Sequence, residues 1–358
     1  MRVLVTGGAG FVGSSIAMML RRDHQWTVVA LDSLRRRGSE LALRRLAAAG
    51  VDFIHGDIRN PEDLEAAGGA DLIIECSAEP SVSAGYGGDP RYVVNTNLIG
   101  TFNCLEYARR HRSATIFLST SRVYSIDALR ALPLVATASR FELPANSNGP
   151  GWSSHGLSEA FPTTGHRSLY GATKLASELL IEEYGAMYGL PAIVNRCGVI
   201  TGPWQMGKVD QGFFVLWAAR HIYGGSLTYN GFEGAGFQVR DVLHINDLYA
   251  LISHQIRNLE TLASRVFNVG GGPGSNISLS ELTDMCERLI GKRVEAGSNP
   301  TTRPEDIPYY VTDNSLVTSQ TGWKPSYTIE RSLEDVIDWL DRNREQLLPI
   351  LGHQAAAL

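Results

Sequence analysis

Tyr170 and Lys174 stand four residues apart in YGATK, at the head of the helical-looking run LASELLIEEY. Four residues are about one helical turn, so the two side chains share a face. A tyrosine, with a pKa of about 10, is a poor base at neutral pH. An ammonium beside it favours the phenolate and makes the phenol a proton carrier. An ordinary amphipathic helix explains the pair equally well. The chemistry therefore needs a cofactor, a partner hydroxyl and a substrate cleft elsewhere in the chain. Thr120 offers the hydroxyl, because it closes the strand-like run ATIFLST. The carboxyl end of a strand is where an open α/β sheet meets its ligands.

The first residues offer the cofactor site. RVLVT, then glycines, then FVGSSIAMMLRRD read as strand, tight turn and helix. Gly8, Gly10 and Gly13 fit G-x-G-x-x-G, and Gly7 adds a G-x-x-G-x-x-G reading. Such a turn lets the backbone near Phe11 and Val12 approach a pyrophosphate at the helix N-terminus, where free N–H groups favour anions. A second strand, TVVALD, ends in Asp32, 19 residues beyond Gly13. A carboxylate there accepts hydrogen bonds from the adenosine ribose and repels a 2′-phosphate, which argues for NAD. Arg35, Arg36 and Arg37 follow closely and offer the opposite choice, as partners for such a phosphate. Asp57, with Ile58 beside it, follows VDFIHG and would meet the adenine. Ser77 and Glu79 lie in the stretch after DLIIE, Ser77 for the cofactor and Glu79 for substrate.

The elements that must position these residues are strand-like runs separated by helical ones: VDFIHGD, DLIIECSA, ATIFLST and AIVNRCG, with TNLIGTFNCLEYARRH and the helix after Tyr170 between them. That alternation implies an α/β fold with a doubly wound parallel sheet of Rossmann type. After about residue 198 the pattern loosens. The expected division is a cofactor-binding domain at 1–198 plus 237–270, and a smaller, discontinuous α/β substrate-binding domain at 199–236 plus 271–358. Residues 145–156, ANSNGPGWSSHG, read as a long loop. Leu333, Val336, Ile337 and Leu340 form an apolar stripe near the C-terminus.

The 358 residues carry a net charge of −5, which gives no sequence-wide basic character for nucleic acid. The four cysteines, Cys76, Cys104, Cys197 and Cys286, are scattered. They read as reduced thiols in a cytoplasmic protein, with no metal site. No apolar run suits a signal peptide or a bilayer span.

Taken together, these motifs resemble the extended short-chain dehydrogenase/reductase family over essentially the whole chain. TGGAGFVG matches its glycine turn, and NLIGT, with Asn97, its N-x-x-G-T segment. STSRVYS matches its hydroxyl residue before Val-Tyr, and Tyr170 and Lys174 its YxxxK. Within the family, DSLRRRG and STSRVY resemble segments of the CDP-tyvelose (CDP-paratose) 2-epimerases. So do the 46-residue step from Tyr124 to Tyr170 and the DQGFF and QVRDVLH segments, with Asp210, Gln211, Arg240, Asp241 and His244. Ser125 departs from the glycine usual after Val-Tyr. The resemblance implies an NAD-dependent nucleotide-sugar epimerase with Thr120, Tyr170 and Lys174 as its catalytic set. Asn97 would join the cofactor site. Ser121, Arg122 and Gln211 would touch substrate, and Arg240 and Arg303 the nucleotide diphosphate. It also implies a homodimer, or a tetramer, in which the helices near 97–111 and 171–188 pair between subunits. Sugar 4,6-dehydratases of this family carry Asp-Glu directly after the catalytic threonine, where Ser121 and Arg122 stand here. A UDP-sugar 4-epimerase would use the same catalytic set. A non-catalytic NAD-sensing scaffold on the same fold is the alternative of another class.

Overall fold

The computed structural model of the chain describes residues 1–207 and 211–352. Asp210 therefore lies outside the described residues. The chain divides into two compact units. One comprises Met1–Val123, Ser168–Arg196 and Tyr249–Phe267; the other comprises Tyr124–Arg167, Cys197–Leu248 and Asn268–Leu358.

The first unit is built on a seven-stranded sheet. Its strands are β1 (Arg2–Thr6), β2 (Thr27–Asp32), β3 (Asp52–His55), β4 (Leu72–Glu75), β5 (Ala114–Thr120), β6 (Ala192–Cys197) and β7 (Arg265–Val269). They lie in the order β7-β6-β5-β4-β1-β2-β3. β1 pairs in parallel with β2 and β4, β2 with β3, and β4 with β5. The chain winds one way from β1 to β3 and the other way from β1 through β4 to β7. This is the doubly wound arrangement expected, and its switch point lies between β1 and β4. The strands read as apolar runs because helices cover both faces; β4 and β5 are buried along their whole length.

Three helices matter most: α1 (Phe11–His24), α2 (Gly100–His111) and α3 (Leu169–Tyr188). Leu105, Tyr107, Ala108 and Cys104 of α2 and Ile181 and Tyr184 of α3 join Leu4, Ile73 and Phe117 of the sheet in one core. The Ser168 side chain caps α3 by accepting from the Gly171 N–H, and Gly189 closes the helix at φ 66. The chain enters α2 through a π-helical turn, Asn95–Ile99. Its one-residue insertion is not visible in hydrophobic periodicity.

In the second unit the strand Val239–His244 pairs in parallel with Val199–Thr201 and Tyr309–Tyr310, and antiparallel with Asn276–Ser278. Residues 124–167 and 237–248 group by contact with this unit, whereas the sequence expectation placed them with the first. Within residues 145–156, expected as loop, and Leu157 after them, the chain forms three short antiparallel strands. Gly151, at φ +74, turns the chain there, and a Cβ would meet the Phe161 amide nitrogen at 2.2 Å. In the helix Ile329–Arg342, Leu333, Val336 and Leu340 are buried as the stripe predicts. Ile337 is only half covered, and Trp339 takes part instead. No disulfide joins the four cysteines. Among the described residues no helix is long and apolar enough to cross a membrane.

Candidate active site

The glycine turn joins β1 to α1 at the switch point. Gly7 has φ +64, and a Cβ on it would lie 2.8 Å from the backbone of Cys76 and Ser77. At Gly13 a Cβ would lie 2.2 Å from the carbonyl oxygen of Gly7. Any side chain at either position would push the turn apart. Gly10 caps α1 with no side-chain bond, so Phe11 and Val12 open the helix with its first N–H groups uncapped by any side chain. A pyrophosphate suits that end: it is small, anionic and able to accept several N–H bonds.

Asp32 ends β2 with its carboxylate facing this turn. It accepts from the Ala9 N–H at 3.0 Å and the Leu34 N–H at 2.8 Å. Burial pushes its pKa up, and these backbone donors oppose the shift. Asp57, beyond β3, behaves oppositely. Burial alone would raise it, but Arg59, bound to both its oxygens, holds it below the usual carboxylate range. Ile58 is buried, with its carbonyl accepting from Asn103. Ser77 and Glu79 are half-buried beyond β4.

Asn97 lies in the π-helical turn and is fully enclosed. Its Oδ1 accepts from the Glu79 N–H at 2.7 Å. Its Nδ2 donates to the Glu79 carbonyl at 3.0 Å and to Thr173 Oγ1 at 3.3 Å. Its carbonyl accepts from Ser177 at 2.9 Å. Asn97 thus ties the loop after β4 to the first turns of α3.

Thr120 closes β5 and is 7% exposed; its Oγ1 accepts from the Arg122 N–H at 3.2 Å. Ser121 and Arg122 continue into the single turn Ser121–Val123. α3 packs on β5 and on this turn. Tyr170 is the second residue of α3 and is half-buried. Lys174 is 2% exposed, with its Nζ 3.8 Å from the centroid of the Phe117 ring. Phe117 neighbours Glu75 across the sheet. Glu75 is also buried and accepts from Thr101 Oγ1 at 2.5 Å; burial raises its pKa, against the pull of Lys174. The Lys174 ammonium is therefore held in a dry, partly aromatic setting, with a carboxyl group on the same sheet face.

One further turn along α3, Glu178 makes a buried bidentate pair with Arg196 of β6, at 2.7 Å for the closest contact. Ser119, next to Thr120, donates to the same carboxylate. This network fixes α3 against β5 and β6. The sequence singles out Tyr170 and Lys174 alone; neither Glu178 nor its partners Arg196 and Ser119 carry a local signal. Arg196→Met would strand a buried carboxylate. It is expected to lower unfolding stability by about 3–5 kcal/mol, measured by urea titration.

The remaining expected residues belong to the second unit. Arg240 sits in the strand Val239–His244 and donates to the carbonyls of Val239 and Ile307, each at 2.7 Å. Arg303 is exposed, with its N–H bonded to Asp306. Gln211 precedes the helix Phe213–Tyr223 and is half-buried. Asp241 is fully buried, which pushes its pKa up to about 6, and it accepts from the N–H groups of Gly272 and Thr312. His244 stacks on Tyr327, and burial lowers its pKa to about 4. Among the described residues no group of His, Cys, Asp and Glu could hold a metal ion.

Comparison with known proteins follows the same lines. A CDP-paratose 2-epimerase from Salmonella typhi is 28% identical over 348 residues, covering 95% of this chain and 99% of that protein. A dTDP-glucose 4,6-dehydratase from Mycolicibacterium smegmatis is 27% identical, covering 98% of this chain and 96% of that one. Among solved structures, the UDP-glucuronic acid 4-epimerase from Bacillus cereus, in complex with UDP-glucuronic acid and NAD, superposes with a TM-score of 0.79. It is 23% identical and covers 96% of this chain and 99% of its own, which shows the fold. The model of the NAD dependent epimerase/dehydratase family matches residues 3–270, well over half of the sequence, and the chain belongs to that family of enzymes.

Proposed function

We propose that the protein is an NAD-dependent nucleotide-sugar epimerase that inverts one sugar carbon through a transient keto-sugar, and specifically a CDP-sugar 2-epimerase. The observation that carries the reading is the buried Lys174, one turn from Tyr170 on a helix packed against the strand that ends at Thr120.

Gly7, Gly10, Phe11, Val12 and Gly13 would hold the pyrophosphate of NAD, Asp32 the ribose, and Asp57 and Ile58 the adenine. Ser77, Asn97, Tyr170 and Lys174 would line the remainder. When bound, NAD would supply the redox half of the reaction, as acceptor and donor of the hydride of the sugar carbon. Tyr170, as phenolate, takes the proton of the sugar hydroxyl on its Oη and later gives it back. The Lys174 ammonium favours that phenolate by charge. Thr120 Oγ1 hydrogen-bonds the same sugar oxygen as charge develops on it. Glu79, Ser121, Arg122 and Gln211 are assigned to the sugar, and Arg240 and Arg303 to the diphosphate. A guanidinium suits a diphosphate because it donates two parallel N–H bonds. Nucleotide binding, remote from the reacting carbon, retains the keto-sugar while it turns over.

Two comparisons bear on the choice. The relatives include dehydratases, but Ser121 and Arg122 occupy the positions where the family resemblance expects Asp-Glu for elimination. That favours epimerisation over loss of water. The intact set of Thr120, Tyr170 and Lys174 speaks against a non-catalytic scaffold. The Salmonella relative supports a CDP-sugar and inversion at C2. A homodimer is part of the same reading, supported by Phe102 of α2 and Leu179, Met187 and Tyr188 of α3, which are 41–66% exposed. A cytoplasmic setting rests on the scattered cysteines. The deciding experiment incubates the protein with CDP-, UDP-, GDP- and dTDP-sugars and follows anomeric signals by NMR. A new signal from a CDP-hexose is expected. Conversion of UDP-sugars alone would replace this reading with a 4-epimerase.

A further inference from the structure

The ribose end of the cofactor turn contains more cationic charge than an NAD site needs. Arg35 follows Asp32 by three residues, and Arg59 follows Asp57 by two. Guanidinium groups so placed are the usual partners of a 2′-phosphate. Both are instead turned onto one aromatic ring. The Cζ of Arg35 lies 3.9 Å from the centroid of Tyr92, and that of Arg59 lies 5.0 Å from it. Arg59 is held a second time by Asp57, through Nε to Oδ1 at 3.0 Å and NH2 to Oδ2 at 2.6 Å. Arg35 lies closer to the ring than Arg59 does and feels Asp57 through charge, so the ring face is the contact that fixes its guanidinium. Tyr92 itself is half-buried in the short helix Arg91–Val94, outside the glycine turn.

We propose that Tyr92 is a specificity-determining residue, whose ring holds the Arg35 guanidinium away from the adenosine ribose and so makes the site select NAD over NADP. The idea rests on the cofactor reading above and adds a residue to it. An arginine on an aromatic face is weakly hydrated and directionally fixed, so the ring competes directly with any phosphate for the same cation. With Arg35 engaged, Asp32 sets the local charge, and its carboxylate repels a phosphate. Releasing Arg35 places a mobile cation within a few residues of that carboxylate. This favours the phosphorylated ribose without removing the hydrogen-bond acceptor for NAD.

The test uses the full chain stripped of nucleotide, titrated calorimetrically with NAD and with NADP. Wild type is expected to prefer NAD. Tyr92→Leu keeps bulk but removes the ring, and should shift the NADP:NAD affinity ratio toward NADP by about tenfold. Tyr92→Phe retains the ring face and should keep the wild-type ratio. Tyr92→Leu combined with Arg35→Ala should lose the gain, assigning it to Arg35 rather than to Arg36 or Arg37. An unchanged ratio in Tyr92→Leu, or an equal fall for both nucleotides, would overturn the proposal and leave the ring a packing element. A wild-type protein that binds neither nucleotide would overturn the cofactor reading, and this inference with it.

Discussion

Tyr170→Phe is expected to lower turnover by about 10²–10⁴-fold while leaving NAD and nucleotide affinity within a few-fold of wild type. Phenylalanine keeps the ring and removes only the oxygen that carries the proton. Tyr170 is the second residue of α3, and the Ser168 cap is made to the Gly171 N–H, so the helix start should survive the change. The buried network of Glu178, Arg196 and Ser119 is also untouched, so α3 keeps its seat on β5. The effect should therefore appear in kcat, with KM nearly constant, because the lost interaction operates on the proton in flight. Steady-state kinetics, with calorimetry for NAD and the nucleotide, measure both halves. Turnover within tenfold of wild type would remove Tyr170 from its assigned role. A parallel loss of NAD affinity would instead show that the ring was packing the cofactor.

Much of this arrangement is legible in the chain itself. The apolar runs of β1, β2, β4 and β5 are long and continuous because both faces of the sheet are covered, and such runs announce a parallel sheet. The glycine turn is legible because close backbone approach at Gly7 and Gly13 admits no Cβ. TGGAGFVG, NLIGT, STSRVY and YGATK together pointed to the family that the chain belongs to. Other features depend on contacts between distant residues and leave no local mark. Glu178 and Arg196 are 18 positions apart and meet only because α3 lies across β6. Glu75 looks like a polar end to an apolar strand until Lys174 and Thr101 are seen to share its sheet face. Tyr92 lies in a helix of four residues, too short to show periodicity, and its two guanidinium partners come from the segments that follow β2 and β3. Residues 145–156 read as loop because glycine, serine and asparagine dominate them. Their strands are two residues long, below any alternation that a sequence can display.

Oxidation and re-reduction at one sugar carbon is the central claim, and isotope retention tests it most directly. On this account a proton carried by Tyr170 would exchange with water between turnovers, whereas a carbon-bound hydrogen transferred as hydride would not. A nucleotide sugar deuterated at the inverted carbon should therefore keep nearly all of its label in the product, against nearly none for deprotonation next to a carbonyl. Tyr170 with Lys174 is the proton-transfer pair assigned here, and the Asp-Glu that elimination would use is replaced by Ser121 and Arg122. The redox change also cancels, so no reduced nucleotide should build up over many turnovers. Labelling C2 and C4 in separate substrates identifies the carbon, and C2 is expected. The decisive measurement is the deuterium content of the product, by mass spectrometry, after many turnovers in ordinary water. Full retention is predicted; loss of the label to solvent, or one equivalent of NADH formed per product, would contradict the account.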